Sequence, residues 1–254
     1  MKVGILGCGT SSGVPRIGGD WGECDPGNPR NRRTRVSIIV ESGDVRVLVD
    51  TSPDLRQQLL DNGLSKVDAV IWTHDHADHC HGIDDLRQLY HSSGGPVAGY
   101  ARPDSLAQLK TRFGYAFFGR DGYPPTVNAS ELPDRIQIGP LAISCVDQPH
   151  GNITSTGLRF EADGAAIGYA TDFHAMTDAM RALYSGLDLW IVDCLRRRPH
   201  PTHPALPQVL DWRAMLQPKR TVLTHLDQSM DYEMLKAELP AAVEPGFDGY
   251  SWQS

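Results

Sequence analysis

The chain has 254 residues and a formal charge of −7, enough for a sizeable core and, with no sustained basic tract, poorly suited to gripping nucleic acid or an anionic membrane. No compositional break divides it, so residues 1–254 read as a single α/β domain. No apolar run is long enough to span a bilayer.

The opening Met1–Cys8 is too short for a signal peptide and lacks its cleavage pattern. The five cysteines are odd in number and scattered, as expected for reduced thiols in a cytoplasmic protein. A small anionic substrate stays compatible with the acidic balance, because a cation in a site outweighs a diffuse negative field.

Residues 2–8 read as a strand running into Gly7-Cys8-Gly9-Thr10-Ser11-Ser12-Gly13-Val14-Pro15. That loop is either a tight turn or a cradle whose amides and hydroxyls face an anion. Residues 16–35 are rich in Gly, Pro, Asn and Arg without periodicity, which predicts a long ordered loop. Arg35–Glu41 and Val45–Asp50 form a hairpin about Ser42-Gly43-Asp44. Asp50 then precedes Thr51-Ser52-Pro53, the expected start of a helix over 54–60. Asp50 is therefore either part of that cap or a buried carboxylate bracing a neighbouring site.

The apolar run Val67–Trp72 delivers the chain to Thr73-His74-Asp75-His76-Ala77-Asp78-His79. Three imidazoles and two carboxylates in seven residues are hard to explain by packing. Crowded histidines repel when protonated, so a divalent cation is their natural partner. Imidazole and carboxylate without thiolate suit zinc, manganese or iron.

Downstream, the pattern predicts helix 83–91, strand 96–100, helix 103–113 and an aromatic loop over 117–125. Strands 135–138 and 141–146 follow, the second leading to His150 in a glycine-bounded loop. Strands 156–160 and 165–170 come next, the latter ending in Thr171-Asp172. Helix 175–184, strand 187–194, helix 204–216, strand 220–223 and helix 230–238 complete the set. Asp50, the His74 loop, His150, Asp172 and His225 each follow a strand-like run, placing polar groups where layered α/β folds carry their sites.

These residues in this order, His-x-His-x-Asp-His followed by His150, Asp172 and His225 with Asp50 upstream, resemble the metallo-β-lactamase-fold hydrolases along nearly the whole chain. The resemblance implies an αββα sandwich, with two mixed β-sheets flanked by helices and a dinuclear centre at one edge. It assigns His74, His76 and His150 to one metal and Asp78, His79 and His225 to the other, with Asp172 bridging. Two divalent ions, zinc or manganese, are implied per chain, with Asp50 supporting the ligands.

Within that superfamily the chain is most similar to the phosphoribosyl cyclic phosphate phosphodiesterases of phosphonate breakdown. The similarity is carried by Gly7–Pro15, Thr202-His203, Thr224-His225-Leu226, Asp231-Tyr232 and Phe247-Asp248-Gly249. It implies a small-molecule phosphodiester substrate, a homodimer, and phosphate oxygens held by Thr10, Ser11 and Ser12. Asp78 would orient the attacking hydroxide, and His203, with His200 as its local competitor, would protonate the leaving oxygen. Many relatives also hold a structural zinc through cysteines after Gly-Val-Pro and a later histidine. Here only Cys24 remains and Gln228 takes the other place, so no structural zinc is expected. The rival readings are a tRNA 3′-processing endonuclease, a thioester or lactone hydrolase, and a catalytically silent metal-binding module. The span from His150 to Asp172 leaves no room for a tRNA-gripping arm.

Overall fold

The computed structural model describes residues 1–254. Fourteen strands form two seven-stranded sheets. The first contains β1 (Lys2–Gly7), β2 (Ser37–Ser42), β3 (Val45–Val49), β4 (Ala69–Ile71), β5 (Val97–Ala101), β6 (Val127–Glu131) and β14 (Ser251–Gln253), in the order β14-β1-β2-β3-β4-β5-β6. The second contains β7 (Arg135–Ile138), β8 (Leu141–His150), β9 (Ile153–Ala162), β10 (Ala165–Ala170), β11 (Leu189–Asp193), β12 (Arg220–Thr224) and β13 (Val243–Pro245), in the order β13-β12-β11-β10-β9-β8-β7. Each sheet begins with antiparallel hairpins and continues with parallel strands.

Period-two alternation builds the layers. Val47 and Val49 point into the inter-sheet core while Leu48 faces helices, and Ile38 and Val40 against Ile39 repeat the choice on β2. On β11, Leu189 and Ile191 face the other sheet, and Trp190 and Val192 face the second helical layer. Buried on both faces, these strands read as continuous apolar runs. The first outer layer holds α1 (Leu55–Asp61), α2 (Ala77–Cys80), α3 (Leu86–Ser93), α4 (Pro103–Arg112) and α5 (Gly114–Phe118); the second holds α6 (Asp178–Leu183), α7 (Leu206–Leu216) and α8 (Tyr232–Glu238). No helix is long and apolar enough to cross a membrane.

Several boundaries differ from the sequence expectation. His150 is not in a loop: it closes β8 and pairs with Ile153 across a Gly151-Asn152 turn. The helix after Asp50 starts at Leu55, with Ser52 Oγ accepting the Asp54 amide, so Pro53 lies outside it. The helices expected at 175 and 204 begin at Asp178 and Leu206. Three short edge strands, β6, β13 and β14, and helix α5 went unread.

Residues 16–34 are held by Arg33. Its guanidinium is buried and donates to the carbonyls of Asp227 at 3.2 Å and Met230 at 2.6 Å, to Asn31 Oδ1, and to Cys24 Sγ at 3.7 Å. Asn31 in turn donates to Asp231 Oδ2 at 2.6 Å. These bonds to distant parts of the chain order a segment whose only regular structure is one 3₁₀ turn, Pro29–Asn31, and the isolated bridges Val14–Arg33 and Arg16–Asp20.

Candidate metal centre

Asp50, Asp172 and His225 sit just past the ends of β3, β10 and β12 and all have positive φ, 64°, 56° and 57°. Non-glycine residues rarely adopt that conformation, and it concentrates at functional sites. Here it bends three strand ends so that their side chains converge beyond the sheet edges.

Two sets of donors result. His74, His76 and His150 lie together, with His150 Nε2 3.4 Å from His76 Nδ1. Asp78, His79 and His225 form the other, with Asp78 Oδ2 3.5 Å from His79 Nε2 and 3.6 Å from His225 Nε2. Asp172 lies between them: Oδ1 is 3.6 Å from His150 Nε2 and 4.0 Å from His74 Nε2, and Oδ2 is 3.1 Å from His79 Nε2. Asp75, also part of the His-rich segment, turns away and pairs with Arg112 on α4, pinning the loop.

The outward nitrogens are fixed by hydrogen bonds that settle the tautomers. His79 Nδ1 donates to Asp50 Oδ2 at 2.7 Å. Thr73 Oγ1 donates to Asp50 and accepts from His74 Nδ1 at 3.0 Å. Asp50 thus orients one histidine of each set, His79 directly and His74 through Thr73. His150 Nδ1 donates to the carbonyl of Thr202 at 3.0 Å. With Nδ1 protonated, each ring offers its Nε2 lone pair inward. Nε2 of His74, His79 and His225 are buried and have no hydrogen-bond partner. Leaving such polar nitrogens without a partner costs about 1–3 kcal/mol each, which a divalent cation would relieve.

Electrostatics agree. Burial alone would push His79 and His225 down, but Asp172 foremost among the neighbouring carboxylates holds both above the ordinary imidazole value, His225 at about 9. Burial, unopposed by comparable acidity, pushes His74 down. Asp78 and Asp172 resist their own burial and stay below the usual carboxylate range because charged imidazoles surround them. The cluster therefore needs compensating positive charge, from protons or from metal.

A cavity of about 610 Å³ opens onto both sets. His203 lines it; His200 does not, its Nδ1 facing the Thr202 amide at 3.3 Å. Of Thr10, Ser11 and Ser12, only Ser11 reaches the cavity. Thr10 is buried, and Ser12 Oγ accepts from Arg16 Nε at 3.3 Å, because the turn after Gly9 directs successive side chains apart. A larger groove of about 1180 Å³ beside β7 and α6 contains none of the clustered histidines.

Sequence reading missed Asp193, the buried last residue of β11, which accepts from His203 Nδ1 at 2.7 Å and from the Asp172 amide at 3.0 Å. The signal was present, since Asp193 is another carboxylate at the end of an apolar strand. Also missed were the Thr202 carbonyl and His174, which lines the cavity.

The fold and this centre define a class. The profile of the β-lactamase superfamily domain matches residues 45–226, and the chain belongs to that superfamily as a metallo-β-lactamase-fold hydrolase close to the PhnP branch. A diphosphatase of the PhnP family has a structure similar to this one, with TM-score 0.90 and 34% identity over 100% of this chain and 97% of that one. An octanoyltransferase of Porphyromonas gingivalis is 32% identical over 257 residues, covering 98% of this chain and 51% of its own length, so the present chain spans about half of that relative. Zinc-bound PqqB of Methylobacterium extorquens shares the fold, with TM-score 0.80 at 21% identity and full coverage of both chains.

Proposed function

We propose that the protein is a dinuclear metal-dependent phosphodiesterase acting on a small cyclic phosphate or a related diester. The observation that carries this reading is the placement of Asp172 between two sets of inward-facing donors, with the His203–Asp193 pair beside them. The similarity to a PhnP-family diphosphatase supports phosphate chemistry, and zinc-bound PqqB supports zinc as one metal the fold accepts. Divalent ions held by His74, His76 and His150 and by Asp78, His79 and His225 would supply an activated water near neutrality and positive charge for the phosphate oxygens.

The chain's own groups do the rest. Asp172, lying between the two sets, would offset repulsion between cations held there. Asp78, facing the cavity, orients the attacking water, and Ser11 donates to a phosphate oxygen. His203 stands with Nδ1 fixed by Asp193 and Nε2 3.8 Å from Asp172 Oδ1, so a proton on Nε2 is positioned for the leaving oxygen.

A small substrate fits better than a tRNA. Between His150 and Asp172 the chain is taken up by β9 and β10, joined by the tight Asp163-Gly164 turn. An acyl substrate fits poorly as well, since Ile153 and Pro201 are the only apolar side chains lining the cavity. Turnover of bis(p-nitrophenyl) phosphate by metal-replete protein, abolished by chelator and by His76→Ala, tests the reading; absence of turnover on any phosphodiester contradicts it.

A further inference from the structure

Asp172 serves both donor sets only if its carboxylate points between them, and that direction is set by the backbone. With φ at 56° it stands just past Ala170, the last residue of β10, where the ladder of sheet partners has ended. Its peptide groups must therefore be held by side chains. Asp193 Oδ2 accepts the Asp172 amide hydrogen at 3.0 Å, and Ser155 Oγ donates to the Asp172 carbonyl at 2.7 Å. Amide and carbonyl flank the same Cα, so gripping both fixes φ and ψ and with them the direction of Cβ. Thr171 Oγ1, donating to Asp172 Oδ2 at 2.6 Å, then fixes the rotation of the carboxylate.

Ser155 sits on β9 opposite Gln148 of β8 and is buried. Gln148 Nε2 donates to Ser155 Oγ at 3.0 Å and to the Thr171 carbonyl at 2.9 Å, and Tyr184 Oη fixes that amide by donating to Gln148 Oε1 at 2.8 Å. The Thr171 carbonyl also lies 3.1 Å from Ser155 Oγ, but it already has Gln148. The serine's single proton is thus aimed at the shorter contact, the Asp172 carbonyl, which has no other partner. Ser155 does not line the cavity, so it touches no substrate.

We propose that Ser155 is a positioning residue for the metal pair, its hydroxyl holding the Asp172 turn so that one carboxylate reaches both donor sets. This rests on the dinuclear reading above and deepens it. Without the hydroxyl the Asp172 carbonyl is left buried and bare, the turn relaxes, and the carboxylate no longer spans the two sets. The loss falls on holding a second ion beside the first.

The test titrates chelator-stripped wild type and Ser155→Ala with manganese by calorimetry and compares the loaded proteins by electron paramagnetic resonance. The wild type should bind two ions and give the exchange-coupled signal of a bridged pair. Ser155→Ala should keep the first affinity within about threefold, lose about 10–100-fold in the second, and give the signal of isolated manganese at the same loading. Ser155→Thr, which restores a hydroxyl on the same carbon, should recover the coupled signal. Thermal unfolding of the metal-free proteins separates this role from general damage to β9. A lower Tm for Ser155→Ala with both affinities and the coupled signal intact overturns the proposal, as does equal weakening of the two ions or a Ser155→Thr protein no better than Ser155→Ala. A wild type that never takes up a second ion defeats the dinuclear reading and this proposal with it.

Discussion

His203 Nδ1 lies 2.7 Å from Asp193 Oδ2, and the same imidazole stacks on His225 at 4.7 Å between ring centroids with 13° between planes. The carboxylate sets the ring's tautomer and the stacking sets its plane, so one nitrogen is committed to the protein and the other to the cavity. If that nitrogen protonates a leaving alkoxide, His203→Asn should lower kcat for an alkyl phosphodiester by about 10²–10⁴-fold. The loss should be much smaller for bis(p-nitrophenyl) phosphate, whose phenolate departs without a proton. Asp193→Asn should show the same leaving-group dependence at smaller amplitude. Steady-state kinetics on the two esters reads both.

Asp50 supports a histidine in each donor set, so its loss should weaken binding at both. Asp50→Asn should reduce affinity for zinc by about 10–100-fold, and Thr73→Val, which breaks only the link to His74, should reduce it less. Competition against a chromophoric chelator gives both values, and unchanged affinity in Asp50→Asn would contradict the role.

Asp231 links the Arg33 segment to the second helical layer. Its carboxylate accepts from Asn31 Nδ2 at 2.6 Å, from the Asp25 amide at 3.0 Å and from the Met234 amide at 3.0 Å, the last capping α8. Burial opposes ionisation, but these donors outweigh it and hold the carboxyl below its ordinary value. A carboxyl depressed in the folded state stabilises fully above its unfolded value of about 3.9 and loses that contribution as pH falls below it. Asp231→Ala should therefore cost about 2–3 kcal/mol at pH 7. The gap from wild type should narrow on acidification through the carboxylate range, as measured by denaturant unfolding at several pH values.

Gly157 on β9 sits where Tyr184 and Gln148 leave no room for a side chain. A Cβ there would stand 2.0 Å from Tyr184 Oη and 2.6 Å from Gln148 Oε1. Tyr184 donates to Gln148 at 2.8 Å, and Gln148 donates to the Thr171 carbonyl at 2.9 Å, beside Asp172. Gly157→Ala should destabilise the fold by about 1–3 kcal/mol. Through Gln148 it should also loosen the Asp172 turn and weaken metal binding, which calorimetry on apo and metal-loaded protein would resolve.

The parts of this architecture that were legible in the sequence are those written in local pattern. Val47–Val49 and Leu189–Asp193 announce buried strands by composition, and the His74–His79 segment announces a metal centre by crowding polar groups after one such strand. The edge strands β6, β13 and β14 were not legible, because runs of three to five residues carry little periodicity and form only when a neighbouring strand supplies partners. His150 was misplaced in a loop because Pro149 and Gly151 look like breakers. Pairing with Ile153 carries the strand past the proline to its last residue. Asp193 and the Thr202 carbonyl act by holding histidines distant in sequence, a relationship that exists only once the sheets are assembled. Asp50 was visible as a strand-end carboxylate, but its reach to His74 through Thr73 was not.

The central claim is that Asp172 and the two donor sets hold a pair of divalent ions that the reaction requires. Chelator-stripped protein titrated with zinc or manganese, with bis(p-nitrophenyl) phosphate turnover followed at each addition, tests it most directly. Activity should be absent at the start and return to a plateau at two equivalents per chain, with Asp172→Ala failing to recover at any loading. Turnover that persists without metal, or that never appears at full loading, would contradict it.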